Sequence, residues 1–379
     1  MNSLPPLSEF LGVRFASRRL LLNKKYHSFD TSIPKEDVTP EKEPFIRSYF
    51  SHYAKCLCEN PDFILKDEFS LEERKRDWNS LLEKKVLENG DVIQIDTRSR
   101  PGHKILDHHM SHFWDVANHK GVSVRTLFTQ AQLEKALFTN LLMHSTPYPT
   151  EIRRMIVMTG GLGNVTKYRT VTSKAIVQYF GAKRVFDPCS GWGGRMLGTL
   201  AAGSDTSYSG CEPDPNTCTG LLNILSDPAI PDSATDRAEI WNEPAEKVLP
   251  IVQTEEKYDM ILTSPPYFNL ELYTSGEQST TIYPTWDEWV TKWLKPLILG
   301  CLQCLKPSGT SCYSVKNFRS NKLYPLADVT KKIHEDAGWV LVKTVTMTGS
   351  ARMGSNRITE DGKTQRQSEE ETFCFQKKQ

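Results

Sequence analysis

The sequence predicts an α/β protein: a mostly parallel, twisted sheet with an antiparallel hairpin at one edge, preceded by a mainly helical N-terminal region. Three observations carry this expectation. After Gly163, short apolar strands alternate with helix-length amphipathic stretches, the rhythm of βαβ units. The first two of those strands run into turns rich in glycine and proline, "CSGWGG" and "CEPD". The last two, "GWVLVKTVTM" and "EETFCFQKK", follow one another with only the polar loop 348–370 between them, which suits antiparallel pairing.

Taken in order, residues 1–45 are punctuated by Pro5, Pro6, Pro34, Pro40 and Pro44, so few regular elements are expected there. "LEERKRDWNSLLEKKVLENG" spaces Leu71, Trp78, Leu81, Leu82 and Leu87 near one helical face and closes on Asn89-Gly90, a helix stop. "DVIQIDT" alternates as a short strand, and 105–145 again reads as helical. The alternating part then runs "KRVFDP" (strand), "RMLGTLAAG" (helix), "SYSGCEPD" (strand), "PNTCTGLLNIL" (helix), "AEIWNEP" and "YDMILTSPP" (strands). The long amphipathic helix "WDEWVTKWLKPLILGCLQCLKPSG" and the strand "TSCYSVKNF" lead to the final pair. The pattern is Rossmann-like, and it divides the chain into an arm (1–45), a helical accessory region (46–155) and an α/β domain (156–379).

Bulk composition narrows the class only a little. With 379 residues the chain is long enough for two or three domains. Lys+Arg 47 against Asp+Glu 46 gives a nearly neutral total, within which a basic face is easily hidden, so charge has to be read locally. Nine cysteines in irregular positions read as free thiols of a reducing compartment, and an intracellular location is expected. No apolar run approaches the roughly 18 residues of a membrane helix, so no membrane partner is expected. Arg14, Arg18, Arg19, Lys24 and Lys25, with Glu9 the acid among them, read as a solvated basic arm able to follow a phosphate backbone, or as an organelle transit peptide.

Chemistry concentrates at the ends of the strands, where ligands bind in such sheets. Asp187 ends a strand, and Gly191 and Gly193 in the following turn let the main chain approach a ligand closely at the positive end of a helix. Glu212 closes the next strand, at about the 20-residue spacing where an acid accepts from both ribose hydroxyls. No lysine stands by to hold a polyphosphate, so the pair favours a nucleoside without phosphates. In "YDMILTSPPYF", the two prolines supply carbonyls but no N–H and hold the chain extended, a rigid set of acceptors. A reaction at an amino group needs such acceptors: an exocyclic NH2 that donates to the Pro265 carbonyl and to Ser264 Oγ turns its lone pair toward an electrophile. Tyr267 then offers a flat ring for stacking a base that has left its helix.

At this point the residues resemble a known family. "TSPPYF" after a strand is similar to the signature of the amino-methyltransferases that methylate cytosine N4 or adenine N6 in DNA. "DPCSGWGG" resembles that family's Asp-Pro-Phe-x-Gly-x-Gly turn for S-adenosyl-L-methionine, with Cys189 where the family has an aromatic residue and with Trp192 and Arg195 bulkier than usual. The resemblance covers roughly 160–379. It implies Ser264, Pro265, Pro266 and Tyr267 as catalytic residues, and Tyr168, Thr170, Asp187, Cys189, Gly191, Gly193, Glu212, Asn242, Glu243 and Ser264 as the cofactor site. The run Thr170 to Thr172 is included because "NVTKYRTVTSKAI" is similar to the segment that packs over the cofactor's methionine end. Asn242 and Glu243 fall near the position that contacts the adenine.

Serine at the first position of the turn is more usual in the cytosine-N4 members, so the resemblance favours N4. Adenine N6, the same chemistry on RNA or on a protein glutamine, and an inactive nucleic-acid-binding subunit are the alternatives. The implied partner is DNA, as a duplex with a flipped base or as a single strand, and the implied chemistry needs neither a metal nor a covalent enzyme intermediate. Because little chain follows the sheet, base-sequence readout is expected from residues 1–150, from "FNLELYTSGEQSTTIYPT", or from the loop 348–370 with Arg352, Arg357, Lys363 and Arg366.

His103, His108, His109, His112 and His119 include an i, i+4 pair on one helix, but no cysteine or acid pair completes a ligand set, so hydrogen-bonded imidazoles are expected. Cys301 and Cys304, inside an apolar helical run, read as small core residues, and Cys56 and Cys58 as inert thiols.

Overall fold

A computed structural model describes residues 6–11, 19–21, 32–34 and 43–378, apart from 94, 97, 144, 163–164, 254–256, 275, 349–356, 359–363 and 366–368. The basic residues Arg14, Arg18, Lys24 and Lys25 lie outside the described residues, as do Arg352, Lys363 and Arg366 of the expected phosphate loop. Arg19 lies in a strand, Arg19–Leu21, paired antiparallel with Ser32–Pro34.

The chain divides into two compact units, one of residues 1–67 with 113–165 and the other of 68–112 with 166–379. Residues 68–112 therefore group with the sheet, whereas the sequence pattern places them in the accessory region 46–155. The first unit is helical. Its longest helix, Glu43–Glu59, buries Ile46, Tyr49, Phe50, Tyr53 and Leu57, and Phe10 stacks on Tyr53 at 3.8 Å.

The second unit holds an eight-stranded sheet. Its strands in chain order are β1 (Ile95–Asp96), β2 (Arg184–Asp187), β3 (Ser207–Cys211), β4 (Ala238–Trp241), β5 (Tyr258–Thr263), β6 (Leu305–Ser314), β7 (Trp339–Thr348) and β8 (Glu369–Lys377). Across the sheet they run β1-β7-β8-β6-β5-β2-β3-β4. The five strands β6, β5, β2, β3 and β4 are mutually parallel, as the strand-helix alternation predicts. β8 pairs antiparallel with both β6 and β7, which makes the expected terminal hairpin, and β1 adds a short parallel pairing outside it. Central strands read as continuous apolar runs because both faces are covered: Phe186, Ile261, Tyr313 and Phe375 are fully buried, each such side chain contributing about 1.5–3 kcal/mol.

Three local expectations are corrected. The helix expected to stop at Asn89-Gly90 ends at Glu83, and Asn89 and Gly90, both at positive φ (51° and 80°), form the two-residue turn of a hairpin between Leu87–Glu88 and Asp91–Val92. Asn-Gly favours that turn because its twist matches paired strands. On the same helix Trp78 and Leu81 are buried but Leu71 and Leu82 are exposed, so the apolar face is narrower than the spacing suggested. The long helix expected over 286–309 is three pieces, Trp286–Glu288, a π-helical turn Trp289–Leu294 and Lys295–Gln303, and the chain from Leu305 already belongs to β6.

Candidate active site

The parallel orientation of β2 to β6 brings their carboxyl ends to one rim, and every predicted site residue that follows a strand sits there. Asp187, the last residue of β2, is fully buried. Its Oδ2 accepts from Arg195 Nε at 2.6 Å and from the Tyr208 hydroxyl at 2.8 Å, and its Oδ1 from the Cys189 N–H at 3.1 Å. Arg195 Nη2 also donates to the carbonyls of Cys189 and Ser190, so the guanidinium and the carboxylate together staple the glycine-rich turn. Burial and the neighbouring Asp187 hold the phenol of Tyr208 well above its ordinary pKa, so it acts here as a donor. Burial, then Asp187, likewise keeps Cys189 a neutral thiol. Asp187 thus shapes the turn through its neighbours and has its carboxylate engaged within the protein.

The glycines of the turn differ in kind. Gly191 (φ +54°) is open: a Cβ there would meet only the Cys189 carbonyl oxygen, at 3.9 Å. Gly193 (φ +79°) is packed, since a Cβ would lie 2.9 Å from Leu221, and it caps the helix Gly194–Leu200. A Cβ on Gly194 would fall 2.2 Å from the carbonyl oxygen of Tyr168. Gly191 therefore leaves room above the turn, and Gly193 and Gly194 let helix and neighbours close up.

Glu212 follows β3 directly, and its two oxygens each accept one backbone N–H, Oε2 from Gly191 at 2.9 Å and Oε1 from Asp214 at 3.0 Å. A carboxylate has about four acceptor positions, so two remain. Burial pushes the Glu212 carboxyl up to about 7, against the pull of the two N–H donors. Asn242 donates to the carbonyls of Glu212 at 2.9 Å and Pro213 at 3.3 Å, tying the end of β4 to that of β3. Glu243 is exposed and paired with Lys247 at 2.9 Å.

Tyr168 is buried beneath Arg195, 5.1 Å from guanidinium carbon to ring centroid, and its hydroxyl accepts from Ser314 Oγ at 3.1 Å. Thr170 and Thr172 are fully buried, and their hydroxyls donate to the Pro101 carbonyl and to Met347 Sδ. They are spent on packing the segment in place.

At the end of β5, Ser264 Oγ donates to the Ser314 carbonyl at the end of β6, at 3.0 Å. Its only proton is thereby committed, and its oxygen faces any further partner as an acceptor. Pro265 is buried, Pro266 and Tyr267 are half-buried, and the Tyr267 ring meets Phe318 edge-on at 5.5 Å. Phe268 has φ +38°, a left-handed backbone for a bulky residue, and it is held by Trp286, Trp289 and Tyr324 at 5.4–5.7 Å between ring centroids. Such strain clusters at functional turns and persists only when the surroundings over-determine it. The turn is legible in the sequence, but this aromatic box and the Asp187, Arg195 and Tyr208 network are not; the unusual bulk of Arg195 is the one hint.

Three of the five histidines are hydrogen-bonded elsewhere, whereas buried His103, against expectation, has no hydrogen-bond partner at either ring nitrogen among the described residues. His108 Nδ1 accepts from the Phe69 N–H at 3.2 Å, His109 Nε2 meets Asp227 at 2.7 Å, and His112 Nε2 meets Thr217 at 3.0 Å. Among the described residues no group of three or more His, Cys, Asp or Glu side chains is placed to hold a metal ion, and no helix is long and apolar enough to cross a membrane. Cys301 and Cys304 are buried, and all nine cysteines are free.

The residues present fit S-adenosyl-L-methionine: an open glycine beside a buried carboxylate with two acceptor positions left suits a ribose, and a glycine-rich turn, 187–194, without lysine suits a nucleoside. Residues 258–379, which carry the Ser-Pro-Pro-Tyr turn, match the N6/N4 methyltransferase family model, described as DNA methylase. The resemblance read from the sequence holds over that segment, and the Asp187 turn lies outside it. No curated protein matches the chain. Solved structures similar to it include TrmN from Thermus thermophilus (14% identity, 55% of this chain and 49% of that one, TM-score 0.35) and the precorrin-6y C5,15-methyltransferase of Geobacter metallireducens GS-15 (12%, 54% and 87%, 0.34). Magnesium protoporphyrin IX methyltransferase (ChlM) from Synechocystis PCC 6803, solved with bound SAM, is another (11%, 57% and 87%, 0.33).

Proposed function

We propose that the protein transfers a methyl group from S-adenosyl-L-methionine to an exocyclic amino group of a DNA base, with cytosine N4 favoured. The observation that carries this reading is the hydrogen bond from Ser264 Oγ to the Ser314 carbonyl. It leaves the serine oxygen an acceptor, directly before two prolines that have carbonyls and no N–H. An amino group placed there donates both its protons to fixed acceptors and turns its lone pair outward. The bound cofactor supplies an electrophilic methyl group. The protein's part is alignment and exclusion of water: Gly191 and Glu212 seat the nucleoside end, Asp187 and Arg195 hold the turn in shape, Tyr267 stacks on the base, and Phe268 locks the segment from beneath. The helical unit, 1–67 with 113–165, is the accessory region that engages the target.

Incubation with methyl-labelled S-adenosyl-L-methionine and unmodified duplex DNA, single-stranded DNA or RNA, followed by nucleoside identification by mass spectrometry, tests this. N4-methylcytosine in DNA is the expected product. N6-methyladenine keeps the mechanism and changes the base, and no labelled nucleoside in any polymer overturns the reading in favour of a protein amide substrate.

A further inference from the structure

Immediately after β6, "VKNFRSNKLYPLA" carries Lys316, Arg319 and Lys322 with no acidic residue before Asp328. The segment folds as a small antiparallel hairpin, Phe318–Arg319 with Leu323–Tyr324. Its register pairs Phe318 with Tyr324 and Arg319 with Leu323, and side chains of a strand alternate between faces. The inner face is therefore aromatic. Phe318 and Tyr324 are buried, stack on each other at 5.1 Å, and reach Tyr267 and Phe268 at 5.5 and 5.4 Å. The outer face carries Arg319 opposite Leu323, both exposed, with Lys322 in the turn and Lys316 at the base, also exposed. Among the described residues none of these three cations has an ion-pair partner, whereas Lys85, Lys247, Lys292 and Lys332 each pair with an acid. The turn is braced from within by the Tyr324 hydroxyl on Asn321 Oδ1 at 2.7 Å and by Ser320 N–H on the Lys322 carbonyl at 3.1 Å.

Three exposed cations stand on a hairpin fixed by two rings to the Ser-Pro-Pro-Tyr turn, with Lys322 Nζ 5.4 Å from the Tyr324 ring centroid and the nearby Asp328 carboxylate held by Asn317 Nδ2 at 2.7 Å; their chemical complement is a polyanion running past that turn. We infer that the hairpin 316–324 is a phosphate-gripping finger, in which Lys316, Arg319 and Lys322 hold the DNA backbone flanking the target base. This rests on the proposed action on DNA. Phosphate contacts set register and orientation and carry no sequence information, so the finger positions the strand and leaves base choice to the site.

The test is equilibrium binding of the full chain to a fluorescent DNA duplex, and to RNA of the same length, over a range of salt concentrations. The K316Q/R319Q/K322Q variant is compared with wild type, R319Q alone is a milder second variant, and K85Q/K292Q is the control. Each lost phosphate contact lowers the slope of log affinity against log salt by about one, so the triple variant is expected to lose about three and R319Q about one, with no change in the control. An unchanged slope in both finger variants, while wild type still binds DNA in a salt-dependent way, overturns the finger and leaves the proposed function standing. A slope change on RNA alone overturns the assignment to DNA. Wild type that neither binds nor methylates any nucleic acid overturns both the finger and the reading beneath it.

Discussion

The Asp187 carboxylate and the Arg195 guanidinium form an ion pair at 2.6 Å, with side chains 0% and 5% exposed. The two charges were withdrawn from water together, and each now depends on the other. Arg195→Met is expected to destabilise the fold by about 3–5 kcal/mol, because it strands a buried carboxylate. Asp187→Asn with Arg195→Met is expected to cost less than Arg195→Met alone. Urea denaturation of Asp187→Asn, Arg195→Met and the double variant checks this; strictly additive losses would argue against a shared charge pair.

Glu212, proposed to seat the ribose, is expected to make cofactor binding pH-dependent. Burial holds its carboxyl at about 7, above the ordinary 4.5, so the fold favours the protonated form. Its contribution to stability is therefore fully present below about 4.5 and is lost as pH rises through about 7. Ribose hydroxyls need the ionised acceptor, so affinity for S-adenosyl-L-methionine runs the other way and falls about tenfold per pH unit below the pKa. Calorimetric titration at pH 6 and pH 8 should show weaker binding at pH 6, and Glu212→Gln should flatten the profile while weakening affinity throughout.

Gly191 and Gly194 lie in one turn but answer to different neighbours. Gly194→Ala drives a methyl group into the Tyr168 carbonyl and is expected to cost about 1–3 kcal/mol of stability. Gly191→Ala meets open space within the protein and adds only backbone strain, of order 1 kcal/mol, but its methyl group enters the ligand's place. Melting temperature should fall more for Gly194→Ala, and cofactor affinity more for Gly191→Ala.

Phe268 holds a strained backbone in place by its side chain. Phe268→Ala removes the contacts with Trp286, Trp289 and Tyr324 and is expected to destabilise by about 3–5 kcal/mol. Because the Ser-Pro-Pro-Tyr turn loses its floor, kcat should fall while cofactor affinity stays near wild type. A stable variant with an unchanged kcat would contradict that role.

The sheet was legible because its signals are local: strands of period two, helices of period 3.6, and glycine or proline at the joints between them. Asp187, Gly191, Glu212 and Ser264 could be placed on the rim for the same reason, since each ends a strand or opens a turn. What the sequence hid depends on partners far along the chain. Tyr208 reaches back to Asp187, Ser314 receives the proton of Ser264, and Tyr324 supports Phe268. Asn89-Gly90 was misread because one dipeptide serves both a helix end and a hairpin, and only the strand pairing that follows decides between them.

Ser264 to Tyr267 are proposed to present an amino group to the methyl donor. The direct measurement is single-turnover methyl transfer to DNA by wild type and Ser264→Ala, with equilibrium binding of S-adenosyl-L-methionine measured on the same preparations. Loss of one hydrogen bond to a group gaining charge is worth about 1.5–3 kcal/mol, so transfer should slow about ten- to a hundredfold with cofactor affinity nearly unchanged. Transfer by Ser264→Ala at the wild-type rate would contradict the claim.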